Sequence, residues 1–460
     1  MMQETRSRAA RTLVLALAML ALAAQAQQPA ADAPPGVQLN YWFNQAAQAF
    51  NNDQLDDWVA ATERLHELRP YNQDFMTHLV VGYARQNQLS NAFNTMLMMQ
   101  QQGLAEDWSR FEELAPLRQH RLYAHLAELM VEAGQPFGRF EEKAALPEGL
   151  TMPEAMALDA DSGRLFVGSV ADGRILVLDQ DGDWADFATP ETIEGLMSVF
   201  DLVIDAERGD LWVATAMASH FAGFDPELAG RSFLLRLDLE NGTLKSRHEL
   251  PPTGAQHLLG SLALAADGTI FVADSRNPVI FRLAPGTEQL QPYFGNANFS
   301  SLRGMALSGD DRLLYVSDYE QGIFVLATDG SNQAWKLAVP ETLNESGIDG
   351  LYWWDSHLVA IQNGISPQRV LRLQLGPDGL GVTAVAPVLA ALERFDTPTY
   401  GVMDGSRLHL FSGSHWQHVD GRGQPIAESL PSLSILSTDV DAAEIMVVGQ
   451  DALEQMQGRP

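Results

Sequence analysis

Between residues 150 and 420 the chain repeats one cassette six times, and this repetition narrows the possible folds more than any other feature. Each copy has a short apolar segment, an Asp/Gly turn, an aromatic-rich apolar segment ending in a small polar residue, and a further apolar segment. The second segments are LFVGS (Leu165–Ser169), LWVAT (Leu211–Thr215), IFVAD (Ile270–Asp274), LYVSD (Leu314–Asp318), LVAIQ (Leu358–Gln362) and LHLFS (Leu408–Ser412). Their terminal polar residues follow one another at intervals of 44 to 59 residues. A period of this size, with strand chemistry and no helical pattern, is the mark of propeller blades. The cassettes predict an all-β six-bladed propeller.

At 460 residues the chain exceeds one ordinary core, so more than one folded unit is expected. The amino terminus has the three parts of a secretory signal: Arg6, Arg8 and Arg11, then the apolar run Leu13–Ala24, then Ala24-Gln25-Ala26 as a small-x-small cleavage site. Residues 1–26 are therefore expected to be a signal peptide, and the mature protein to be periplasmic or secreted. With no cysteine, stability has to come from the core rather than from disulfides. A formal net charge of −30 repels phosphate backbones and anionic membranes, which excludes nucleic acid as a partner. No segment after the leader is apolar enough to cross a bilayer.

Residues 27–39 are rich in Ala, Pro and Gln without periodicity and read as a linker. From Asn40 the pattern is helical, and two stretches repeat with an offset of 34: Trp42 against Met76, Ala49 against Tyr83, Leu55 against Leu89, Trp58 against Ala92, and Leu65 against Met99. Pro70 ends the first copy. With Asp107–Met130 as a closing segment, residues 40–134 resemble the tetratricopeptide repeat, although Ala46 and Val80 replace its usual Gly and Trp58 a small residue. The resemblance implies a small all-α domain with a groove for a protein partner; the alternative is a helical cap on the propeller. Met96, Met98 and Met99 fall at core spacing. The propeller is assigned to 137–430, and 431–460 is left as an unplaced tail.

In a blade, the first strand starts and the second strand ends at the same end, because the two are antiparallel. Six first-strand starts should therefore meet around the axis: Glu154, Phe200, Gly260, Arg303, Asp349 and Tyr400. The second-strand ends form a ring of Ser169, Thr215, Asp274, Asp318, Gln362 and Ser412. Glu154, Arg303 and Asp349 are the charged groups expected to converge on an axial ligand pocket, with Asp274 and Asp318 nearby. The short side chains Ser169, Thr215 and Ser412 are expected to cap loops. Met156, Leu202, Leu262, Met305, Leu351 and Val402, with Phe166, Trp212, Phe271 and Tyr315, should fill the space between blades.

The segments PEAMALDADSGRLFVGS, LRGMALSGDDRLLYVSD and IDGLYWWDSHLVAI resemble the senescence-marker-protein/gluconolactonase (regucalcin-like) family and the wider NHL-type propellers, over residues 153 to about 420. That resemblance implies an axial divalent metal, calcium or zinc, held by Glu154 and Asp349, with Asp349 also catalytic in a lactone hydrolase. The family's third ligand, an Asn, is Arg303 here. A guanidinium cannot ligate a cation, so the residues alone favour no metal and an ion-pair cluster with Arg303 bidentate to a carboxylate, or Arg303 gripping a small anionic ligand.

The 216–232 connection of blade 2 is long and carries His220, Phe221 and Phe224, a candidate aromatic wall with one titratable group. His257 precedes blade 3. "DQDGDWADF" lacks the Gly and Glu of a calcium loop and reads as a turn, as does "GLGVTA". No G-x-S-x-G or H-E-x-x-H motif is present. Either "GRFEEKAAL" (138–146) or "PIAESL" (425–430) should supply the outer strand of blade 6. Two functions follow: an exported binding or scaffold protein, or a lactonase-type hydrolase with a degenerate metal centre.

Overall fold

The computed structural model describes residues 28–30, 32–250 and 254–442. The expected signal peptide and the "EIMVVG" part of the tail lie outside the described residues. The chain divides into two compact units after Leu68.

The first unit is a helical pair, α1 (Pro35–Asn51) and α2 (Leu55–Leu68). Pro35 opens α1, where the missing N–H costs nothing. Within the pair, the rings of Phe50 and Trp58 meet at 5.3 Å, and Arg64 lies over Trp42 at 5.9 Å.

The second unit begins with α3 (Gln73–Arg85), α4 (Leu89–Gln101), the short α5 (Ala115–Arg118) and α6 (Arg121–Ala133). Asn72 caps α3 by accepting from the Phe75 amide at 3.0 Å. Met76, Met96, Met99, Trp108, Leu126 and Met130 are fully or almost fully buried, so the methionines at core spacing are core; Met98 is half-buried. The Trp108 indole donates to the Met130 sulfur at 3.1 Å.

Six four-stranded antiparallel sheets follow, and the chain is a six-bladed propeller. Blades 1 to 5 span 153–188, 198–249, 259–295, 302–336 and 348–390. Every repeated second segment forms the second strand of its blade, or lies within it, save that Ser412 sits just past the blade 6 strand. The apolar positions predicted between blades are buried, except Val402, which is half-buried. These blades pack sheet face on sheet face, as the alternation of large side chains requires.

Blade 6 settles how the ring closes. Its strands are Gly401–Asp404, Arg407–Phe411 and Ser434–Asp439, and Glu141–Ala145 pairs with the last as the outermost strand. "GRFEEKAAL" is thus the latch and "PIAESL" is loop. Blade 6 also draws a strand from the segment left unplaced in sequence. Ser-rich "LSILSTD" carries a weak strand signal, and the loop of about twenty residues before it breaks the cassette.

Ile435 is fully buried between blades 6 and 1, whereas Ile426 is 69% exposed. Ile435→Ala should cost about 2–5 kcal/mol and Ile426→Ala less than about 0.5 kcal/mol. Urea unfolding followed by circular dichroism reads both; equal effects would contradict this closure.

Candidate functional site

The first-strand starts owe their aim to β-bulges. Pairing between the first and second strands slips between Pro153 and Ala155, Val199 and Asp201, Leu259 and Leu262, Leu302 and Met305, and Ile348 and Gly350. Glu154, Phe200, Gly260, Arg303 and Asp349 sit in those slips, and a bulge re-aims the side chain it holds. In blade 6 Tyr400 stands just ahead of the first strand. Glu154, Phe200, Gly260, Arg303 and Tyr400 line one axial cavity of about 280 Å³, together with Ser275, Arg276, Ser301 and Trp416. Asp349, the sixth position, is buried beside it.

Blades 4 and 5 approach closely here. A Cβ on Gly304 would stand 2.5 Å from the Leu351 nitrogen and 2.6 Å from the Asp349 oxygen, so only glycine fits next to Arg303. That approach sets Arg303 against Asp349, with Nε 3.5 Å from Oδ1. The contact is single, not the bidentate pair expected, and both atoms are buried without a hydrogen-bond partner. The other Asp349 oxygen accepts from Asn363 Nδ2 at 2.5 Å, and Asn363 Oδ1 accepts from the Tyr319 hydroxyl at 3.0 Å. The Arg303 guanidinium lies 5.3 Å above the Tyr319 ring.

Glu154 is held by the Trp416 indole N–H at 2.9 Å and the Thr399 hydroxyl at 3.3 Å, both donating to Oε2. Burial and the nearby Asp349 push its pKa up to about 8, against those donors and Arg303. Burial likewise raises Asp349, opposed by Arg303 and Asn363. Burial works against the Arg303 cation, yet Asp349, Tyr400 and Glu154 hold its pKa above the ordinary value. At neutral pH Glu154 is therefore mostly a neutral acid, and the permanent charge at the cavity is positive. Deeper in the ring Asp201 accepts from the amides of Leu202 and Leu262, and burial lifts it to about 7.

The other predicted site residues lie elsewhere. Asp274 accepts from the amides of Leu258, Arg276 and Asn277 and from His257 Nδ1 at 2.6 Å. Asp318 accepts from the amides of Ser300, Ser301, Glu320 and Gln321. Both carboxylates are fully buried loop caps rather than pocket walls, because an acid at a strand end satisfies several loop amides at once. Ser169, Thr215 and Ser412 cap loops as expected. The aromatic wall of the blade 2 loop does not form: Phe221 packs into the core of blades 1 and 2 and Phe224 points outward. His220 stands edge-on to Trp416 at 4.9 Å, and burial lowers its pKa. Sequence reasoning missed Trp416, Thr399 and Tyr319. Tyr319 had a readable position, directly after a second-strand end.

The residues do not fit a divalent cation. Of the two expected ligands, Asp349 is taken up by Arg303 and Asn363, and the arginine's permanent positive charge stands between it and Glu154's cavity. Among the described residues no three His, Cys, Asp or Glu side chains group as metal ligands.

No protein-family model matches the chain and no curated protein matches it in sequence. Similar solved structures include a calcium-binding regucalcin from Agrobacterium tumefaciens, 16% identical with TM-score 0.46, covering 66% of this chain and 95% of that one. A gluconolactonase from Xanthomonas campestris is 18% identical, with TM-score 0.42 and coverage of 66% and 94%. Virginiamycin B lyase from Staphylococcus aureus is 13% identical, with TM-score 0.41 and coverage of 65% and 99%. At such identities the likeness is one of fold alone. In fold, the chain is a six-bladed propeller like those of regucalcin and gluconolactonase, with six α-helices ahead of it among the described residues.

The raised pKa of Glu154 has a direct consequence for stability. Its contribution is fully present below the unfolded value of 4.5 and is lost as pH rises through the folded value of about 8, at about 1.4 kcal/mol per pH unit between them. Glu154→Gln should therefore flatten the decline of Tm with pH over that window, and should stabilise the protein more at pH 9 than at pH 5. A Tm difference from wild type that stays constant with pH would contradict this protonation state.

Proposed function

We propose that the protein is an exported binding protein whose propeller takes a small anionic ligand against Arg303. The observation that carries this is Arg303 Nε beside the axial cavity, buried and ion-paired with Asp349 Oδ1 at 3.5 Å but without a hydrogen bond. A buried guanidinium N–H without an acceptor costs free energy that an incoming oxyanion recovers. Protonated Glu154 removes one competing negative charge, leaving Asp349 as the ion-pair partner of Arg303, and offers a donor of its own. Export rests on the signal-like leader. Among the described residues no helix is long and apolar enough to cross a membrane.

Packing favours the cap reading of the helices over an open partner groove. Asn344 Nδ2 donates to the Tyr71 carbonyl and to Gln102 Oε1, each at 2.9 Å, and the Ala105 amide donates to the Ser366 carbonyl at 2.7 Å. A lactone hydrolase with Asp349 as its acid/base finds less support, because Asp349 is committed to Arg303 and Asn363.

Titration calorimetry with acetate and succinate tests the reading. Arg303→Gln should weaken binding at least about tenfold, an interaction of about 1.4 kcal/mol. Wild-type affinity should fall as pH rises through about 8 and Glu154 ionises; no binding of either anion would end the proposal. Metal removal separates the lactonase alternative. Tm should be the same in EDTA and in millimolar Ca²⁺, whereas a resident metal at a hundred times its Kd would add about 2.7 kcal/mol.

A further inference from the structure

A second and larger cavity, of about 690 Å³, lies between the helices and the propeller on the side of Tyr319 and Asn363. Three short segments link its lining to residues of the axial cavity. In blade 4, Tyr319 lines the cleft while its ring supports Arg303. In blade 6, Gln417 lines the cleft and its neighbour Trp416 lines the axial cavity. Between them runs Thr397-Pro398-Thr399. Thr397 faces the cleft, the Pro398 carbonyl accepts from Asn363 at 2.9 Å, and Thr399 bonds Glu154.

Thr397 carries the marks of a built site. It is β-branched yet held at φ 59°, in the left-handed region such residues avoid. Its hydroxyl is buried without a hydrogen-bond partner. An uncompensated polar atom and backbone strain at one residue are more readily explained by a ligand than by packing. Asn363 lines the cleft and bonds Asp349, which is buried beside the axial cavity.

The chemistry of the cleft defines what would fill it. Gln417 presents a whole amide and Asn72 its Nδ2, groups that suit a peptide backbone, whereas Asn72 Oδ1 caps α3 and the Asn363 amide is taken up by Asp349, Pro398 and Tyr319. Val131, 49% exposed on α6, and Ile365 give apolar surface between them. The helix-side rim carries Asp74 and Asp107, suited to a free amino group. Amides for a backbone, an apolar patch for a side chain and acids for an amino terminus together describe a short peptide better than a sugar, which has no use for the apolar patch.

We infer that the anion at Arg303 is the carboxyl terminus of a short peptide whose body runs past Tyr319 into the cleft. The inference rests on the anion-binding reading of Arg303. It makes the helical region the second wall of one ligand site.

The test compares acetate, tri-alanine, tri-alanine carboxamide and glucuronate as probes on the full mature chain, by calorimetry or competition NMR. Tri-alanine should bind at least about tenfold tighter than acetate, and its carboxamide should lose that advantage. Val131→Glu and Gln417→Ala, both at exposed positions, should each bring tri-alanine down towards acetate while leaving acetate binding unchanged. Arg303→Gln should weaken both. If tri-alanine binds no tighter than acetate, the peptide inference falls and the anion site stands. A gain for glucuronate but not for tri-alanine overturns the peptide class. If neither acetate nor tri-alanine binds, both readings fall.

Discussion

One backbone device, the bulge at the start of the innermost strand, underlies the whole axial site. A regular strand alternates its side chains between the two faces of its sheet, and in a propeller both faces are covered by neighbouring blades. A charged residue at such a position would be driven into an apolar inter-blade layer. The extra residue in five of the six blades breaks the alternation where the strand reaches the axis, so Glu154, Arg303 and Asp349 turn towards the centre. The apolar partners Met156, Met305 and Leu351 then resume the inter-blade register. Without the slip, the same residues could not satisfy both the core and the site.

That placement has an electrostatic cost, which shapes the chemistry of the centre. Two buried carboxylic acids stand beside a guanidinium that is partly exposed at the cavity. Full ionisation of both acids would leave a net negative charge in a poorly solvating environment. The structure sets Arg303 against Asp349, while Glu154 takes the Trp416 and Thr399 donors and its raised pKa favours the neutral acid. Arginine at this position thus acts on more than its own contact. It also favours the ionised forms of its acidic neighbours and puts a permanent positive charge at the centre.

The blades were legible in the sequence because strand chemistry and period are local, and the second segments could be read directly. The ring of first-strand starts was legible for the same reason, since aligning six copies needs no tertiary contact. Asp274 and Asp318 show where that method stops. They occupy equivalent positions to one another but face loop amides, and alignment cannot tell a cap from a ligand. Trp416, Thr399 and Tyr319 reach the site from loops after or before the aligned strands, where lengths differ from blade to blade. The strand Ser434–Asp439 escaped notice because a long loop separates it from its hairpin partner. Its register is set by the latch Glu141–Ala145, which is distant in sequence.

The helical region draws its importance from how firmly it is seated. Arg369 in blade 5 is fully enclosed, and burial lowers its pKa to about 10. It donates to Gln362 Oε1 at 2.7 Å and to the Gln102 carbonyl at 3.0 Å. Gln362 in turn donates to the carbonyls of Asn344 and Ser346, and Asn344 returns to Gln102. Each member of this buried network completes another, so displacing the helices would strand several polar groups at once. Gln362 is the second-strand end of blade 5, one residue before Asn363. The network that anchors α3 and α4 therefore ends one residue from the amide that supports Asp349. Helical wall and axial centre are held in one frame, and a ligand that fits only one of them forgoes the contacts offered by the other.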